Sequence, residues 1–191
     1  MTEQTDKPLT HLSLSASNRS AREYVNLAAE GLLWLAAPYQ RGSVWTGAQQ
    51  RGLVKSWKLG IPIPAVIVND RNNPRWAERN GYDARYVVID GKQRITAAIA
   101  WFTGELAVPA SWFEPDHIEA TVDTDDGTYV TYTGLTLKGQ RMFANRALIP
   151  VVEAKVATVA EEAAIYLLVN TAGTAQSAED LGRAANIADQ S

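Results

Sequence analysis

Apolar and polar positions along this chain switch between a helical and a strand-like period, and the switches divide it into elements. Residues 1–20 are mainly polar, which predicts a flexible N-terminal segment ahead of one folded domain over 21–191. Glu23 to Leu35 reads as a short helix ending near Pro38. Thr46 opens the next helix, because Thr46 and Gln49 have capping-box spacing and Gly60 is a natural stop. On that helix Leu53, Val54 and Trp57 make a stripe for burial. Arg51, Lys55 and Lys58, at i, i+4 and i+7, share the opposite face.

Ile61 to Val68 reads as a strand with prolines at its start, and Asp70 to Asp83 as a polar loop. Arg85 to Ile89 is a short apolar run of the buried-strand kind. A helix follows at once from Asp90, with Ile95, Ala98, Ile99 and Phe102 inward and Gly104 as its stop. Glu119–Val122 and Thr128–Thr133 suggest a hairpin around Asp125-Asp126-Gly127. Leu148 to Val156 is a further strand. Thr158 with Glu161 caps a helix reaching Asn170, and Ser177 with Asp180 caps a last one. This order predicts an α/β (α+β) fold, a small mixed sheet flanked by helices, with Asp90 at a strand-to-helix turn.

Composition narrows the chemistry. No run of 18 apolar residues exists, which argues against a membrane span, and the N-terminus lacks a signal-peptide core. The expected setting is therefore cytoplasmic. There is no cysteine, so disulfides, thiol nucleophiles and Cys-based metal sites are excluded. The two histidines, His11 and His117, argue against a His-rich metal site or a Ser-His-Asp triad. The net charge of −3 is unevenly spread: Arg41 to Arg94 holds ten Lys/Arg against four Asp/Glu. A basic middle in an acidic chain is a local anion-binding signal.

The strongest chemical signal lies within that middle, in VVIDGKQRITAA, Val87 to Ala98. A strand, a glycine turn and a helix start follow one another. The first N–H groups of a helix lack internal partners and carry the positive end of its dipole, so such a turn seats an anion. Gly91 lets a phosphate approach the backbone, Lys92 and Arg94 add charge, and Gln93 can orient a water or a phosphate oxygen. Asp90 can hold a divalent metal on the same phosphates. The same residues also read as a plain helix start, with Asp90 and Gln93 as its capping box.

Two further places carry polar residues between apolar anchors. In Pro38-Tyr39-Gln40-Arg41, followed by Trp45, the amide and guanidinium can touch a base or phosphate, or the aromatics can simply staple a loop to the core. Asn170, ahead of Gly173, reads as a helix C-terminus or as an amide within reach of a ligand.

The segments YQRGSVW, LVKSWKLGIPIP, VVIDGKQR…WFTGEL and EEAAIYLLVNTAGTAQSAEDL, in this order, resemble a known family. It is the domain of unknown function 262, found at the N-terminus of GmrSD type IV restriction enzymes, within the ParB/sulfiredoxin-like superfamily. The resemblance runs from about Tyr39 to Leu181. It implies a ParB/sulfiredoxin-like fold and nucleotide handling, since similar proteins use the Asp-Gly-x-Gln-Arg segment for NTP hydrolysis, CTP binding or γ-phosphoryl transfer. It places Asp90, Gln93 and Arg94 in catalysis, Asp90 on Mg²⁺, and Gln40, Arg41, Gly91, Lys92, Arg94 and Asn170 on the nucleotide. Lys92 stands where the family often has Gln. The restriction enzymes carry a C-terminal HNH nuclease rich in His and Asn. A chain ending at Ser191 with two histidines is not expected to be a self-sufficient nuclease.

Three functions follow as expectations. The first is an NTP-dependent phosphotransferase or NTPase of DNA metabolism, with hydroxymethylated bases in DNA as one acceptor and Glu30, Asp70 or Asp90 as candidate base. Such chemistry needs positioning, positive charge and Mg²⁺ rather than Cys or His. The basic stripe Arg51, Lys55 and Lys58 would then track DNA. The second is a nucleotide-gated module that binds DNA or a protein without strong catalysis. The third is a metal-dependent DNA nickase, disfavoured because no second carboxylate follows Asp90 at a metal-pair spacing. ATP, GTP and CTP are not distinguished, and oligomeric state is open.

Overall fold

The computed structural model describes residues 8, 11–12, 14–40, 45–77 and 84–171. Its main sheet has five strands: β1 (Ser15–Ser20), β2 (Leu33–Trp34), β3 (Val66–Asp70), β4 (Tyr86–Asp90) and β8 (Leu148–Ala154), in the order β1-β8-β3-β4-β2. The sheet is mixed. β1 runs antiparallel to β8 and β3 antiparallel to β4, while β8–β3 and β4–β2 are parallel. A second sheet, β5 (Ala107–Pro109), β6 (Val122–Thr124) and β7 (Gly127–Thr131), is antiparallel in the order β5-β7-β6.

Alternation along the strands explains why the main sheet is covered on both faces. Val66, Val68, Tyr86, Val88, Ile149 and Val151 point into a core with Trp57 of α2 (Gly47–Leu59), Trp101 of α3 (Lys92–Phe102) and Phe143 of α4 (Leu137–Arg146). Val87, Ile89 and Ala154 point the other way, onto Tyr39 and the Ala163, Ile165 and Tyr166 side chains of α5 (Val159–Thr171). Among the described residues no helix is long and apolar enough to cross a membrane.

Local signals hold where neighbours decide. Thr46 and Gln49 form the reciprocal capping box, Gly60 ends α2 at φ 72°, and Leu53, Val54 and Trp57 are its buried residues. The hairpin turns at Asp125-Asp126 between β6 and β7. Glu161 donates its backbone N–H to the Thr158 hydroxyl at 3.2 Å, capping α5.

Several boundaries differ from the sequence reading. The predicted flexible segment 1–20 contributes Ser15–Ser20 as the sheet-edge strand β1, bonded along its length to β8. The first helix, α1, spans Ala21–Ala29 rather than Glu23 to Leu35. Gly31 at φ 72° reverses the chain there, and Leu33–Trp34 become a strand beside β4. β3 begins at Val66, not Ile61, because the Pro62 and Pro64 nitrogens cannot donate to a ladder. On α3 the largest buried side chain is Trp101, and Ile99 is only half-buried. The helix predicted from Ser177 lies outside the described residues.

Candidate anion site at the strand-to-helix turn

Asp90 is the last residue of the internal strand β4, and α3 begins two residues later. The cap of α3 is Gly91, at φ 93°, not Asp90. No side chain caps this helix start. The capping-box reading of Asp90 with Gln93 is therefore overturned: the left-handed glycine moves the helix start past Asp90, whose carboxylate turns elsewhere. It accepts from Arg94 Nη2 at 2.7 Å, one helical turn on. The same nitrogen donates to the Ala65 carbonyl at 3.0 Å, so Arg94 ties the turn to the segment entering β3. Arg94 Nε is buried without a partner.

A Cβ at Gly91 would lie 2.7 Å from Val66 Cγ2 and 3.1 Å from Arg94 Nη2. Positive φ and this close approach both demand glycine. Gly91→Ala is expected to cost about 2–4 kcal/mol, combining backbone strain with displacement of Val66. A thermal melt beside wild type checks this, and an unchanged melting temperature would refute it.

The other expected site residues divide. Lys92 is half-buried at the first position of α3. Gln93 Oε1 accepts the Trp45 backbone N–H at 3.0 Å, fastening the entry to α2. Gln40 Nε2 donates to the carbonyls of Val88 and, at 3.2 Å, Ile89, so its amide lies against the end of β4 just before Asp90. Arg41 and Gly173 lie outside the described residues. Asn170 is on α5, and its amide donates back to the Tyr166 carbonyl at 2.7 Å. Glu30 is exposed at the C-terminal cap of α1. Asp70 is not a base for this site. It pairs with Tyr86, at the far end of β4 from Asp90, roughly 13 Å along the strand. There it is held by Arg85 at 3.3 Å, and that bond raises the guanidinium's pKa.

Arg51, Lys55 and Lys58 do share a face of α2, but each leans on an aromatic ring. Arg51 lies over Tyr129 at 5.9 Å, Lys55 over Trp112 at 5.7 Å and Lys58 over Phe113 at 4.7 Å. The basic stripe is thus backed by rings from the second sheet and its neighbouring turn.

Sequence reasoning missed the best-connected polar group. Glu162 of α5 is fully buried and accepts from Tyr39 Oη at 3.2 Å, Asn69 Nδ2 at 2.8 Å and Arg71 Nε and Nη2 at 2.9 and 2.6 Å. Arg71 in turn lies between the rings of Trp34 and Trp76, at 5.1 and 4.4 Å. Burial and the Glu162 carboxylate hold the Tyr39 phenol well above its ordinary pKa, so it stays a donor. The available signal was Glu162 itself, at i−3 and i−4 from the apolar Ile165 and Tyr166. This network fixes Tyr39, and hence the approach of Gln40 to β4.

A left-handed glycine, a helix start without a side-chain cap and an adjacent arginine, set at the end of an internal strand, make this turn of a mixed α/β domain the candidate site. A family model described as GmrSD restriction endonuclease, N-terminal domain, matches residues 22–186, and the chain belongs to this family. No curated protein and no solved structure matches the chain significantly.

Proposed function

We propose that this domain binds a nucleoside triphosphate at the Asp90–Arg94 turn and hydrolyses it or transfers its γ-phosphoryl group in DNA metabolism. The observation that carries this is the start of α3: no side chain caps it, so its first backbone N–H groups keep the positive end of the helix dipole unmet. Lys92 and Arg94 stand on the same turn. No group of three or more His, Asp or Glu that could hold a metal occurs among the described residues. Asp90 would be the protein carboxylate for a Mg²⁺ ion carried on the triphosphate, the usual arrangement for this ion. Bound there, it would neutralise charge on the phosphates.

The test is phosphate release from ATP, GTP and CTP with and without DNA, together with γ-labelled NTP offered plain and hydroxymethylated DNA. Release or label transfer supports the reading, and binding of no NTP refutes it. Binding without turnover would favour a nucleotide-gated module. One observation leans that way: Asp90 and the Gln93 oxygen are both already engaged, by Arg94 and Trp45.

DNA is the partner that suits the α2 stripe. Reversing the charge of Arg51, Lys55 and Lys58 together should weaken DNA binding and reduce its logarithmic salt slope by about 2–3, while NTP affinity holds. Filter binding across a salt series measures this. Unchanged DNA affinity would leave the three cations only the task of packing α2 on the second sheet.

A further inference from the structure

Two buried polar atoms beside the Asp90–Gly91 turn lack partners, and they are of opposite kind. Gln40 Oε1 is an acceptor without a donor, and Arg94 Nε is a donor without an acceptor. The orientation of Gln40 is not arbitrary. Its amide meets the Val88 and Ile89 carbonyls, and only the NH₂ end can donate to two carbonyls. The oxygen must therefore face away from them. A buried carbonyl oxygen left unpaired is costly, so the site calls for a donor that the described residues do not supply. Gln93, the amide that sequence reasoning assigns to orienting a water, already uses its oxygen on the Trp45 N–H.

Resting on the nucleotide reading above, we infer that Gln40, rather than Gln93, is the amide that receives the O–H of the nucleophile attacking the γ-phosphorus. The pairing of orphans fits this division: anionic phosphate oxygens suit Arg94 Nε, and a hydroxyl hydrogen suits Gln40 Oε1. In the hydrolytic case the water oxygen forms a bond to the γ-phosphorus. The bond from that phosphorus to the bridging oxygen breaks, and its electron pair leaves on the diphosphate. The water proton departs on the released phosphate. An amide cannot take that proton, so Gln40 orients the nucleophile without acting as a base. Its placement comes from Tyr39, which the Glu162 network holds.

The test separates chemistry from binding in the full chain, using whichever NTP the wild type turns over. Gln40→Ala should lower kcat by about 10²-fold, the scale of a misplaced reacting group, while affinity for the non-hydrolysable analogue stays within about threefold. Gln93→Ala should retain more turnover than Gln40→Ala. Should Gln40→Ala fail to fold, Gln40→Glu serves instead. Its protonated carboxyl can donate to one of the same carbonyls and still offer an acceptor oxygen, so turnover should recover as pH falls while wild type does not gain. Turnover within threefold of wild type in Gln40→Ala, or a pH profile in Gln40→Glu parallel to wild type, overturns the inference. So does loss of analogue binding as large as in Arg94→Ala, which would make Gln40 a nucleotide contact. A wild-type chain that binds no NTP removes the nucleotide reading itself, a distinct result seen before any variant is made.

Discussion

Glu162→Gln should be among the most destabilising single substitutions in this domain, lowering stability by about 3–5 kcal/mol. The side chain keeps its shape but loses the charge that four donor contacts were arranged to meet. Arg71, only 7% exposed at its side chain and 2.6 Å from the carboxylate, is left as a buried cation without its counter-charge. The amide NH₂ of the variant would also face Asn69, Arg71 or Tyr39 donors at one of its two ends. For a domain near 190 residues the loss corresponds to a melting temperature lower by roughly 6–20 °C. Pairing the change with Arg71→Met should recover part of the loss, because the orphaned charge disappears and the stem still packs between Trp34 and Trp76. Thermal and urea melts of the two singles and the double close the cycle. Additive losses would show that the ion pair is incidental and that only shape matters there.

Asp90→Asn is expected to abolish turnover while leaving the domain folded. Because Gly91 caps α3, Asp90 has no capping duty to lose. Among the described residues its side-chain bond is to Arg94, and asparagine can still accept it, so the stability cost is about 1 kcal/mol, the difference between a charge-assisted and a neutral hydrogen bond. The carboxylate that would meet Mg²⁺ is gone, however, and phosphate release should drop at least about 10²-fold. Arg94→Ala should act on binding instead, weakening the triphosphate by roughly 10–150-fold through loss of a contact worth about 1.5–3 kcal/mol. Arg94→Lys should restore only part, since an ammonium lacks the planar fork that reaches both Asp90 and a phosphate. Nucleotide affinity, phosphate release and melting curves for the three variants decide the matter. Full turnover in Asp90→Asn with unchanged affinity in Arg94→Ala would mean that the ion pair only braces the turn against Ala65.

What the sequence made legible was whatever neighbours in the chain decide. The Thr46–Gln49 box, the Gly60 stop, the Asp125-Asp126 turn and the abrupt passage from β4 to α3 all rest on local rules, and all are present. The same local logic misplaced the cap of α3, because a capping-box spacing cannot reveal that Gly91 takes a left-handed conformation and leaves Asp90 in the strand. α4 escaped notice since its apolar positions are few, Phe143 being its one large buried side chain. The polar strand β1 was hidden because its partner lies at the other end of the domain. The Glu162 network was hidden for the same reason: it joins Tyr39, Asn69, Arg71 and Glu162, which no sequence window contains together.

The pairing of the first strand with the last also sets a timetable. β8 lies between β1 and β3, with Ser15 opposite Glu153 and Val66 beside Val151. During synthesis from the N-terminus, β3 and β4 can meet as soon as residue 90 has emerged, yet β3 keeps an open edge until the chain reaches about residue 154. The central ladder closes late and over a long loop, the kind of contact that slows folding and exposes a strand edge in the interval. The domain therefore completes its sheet only when its last strand arrives, and α5, with the carboxylate that anchors Tyr39, follows after that.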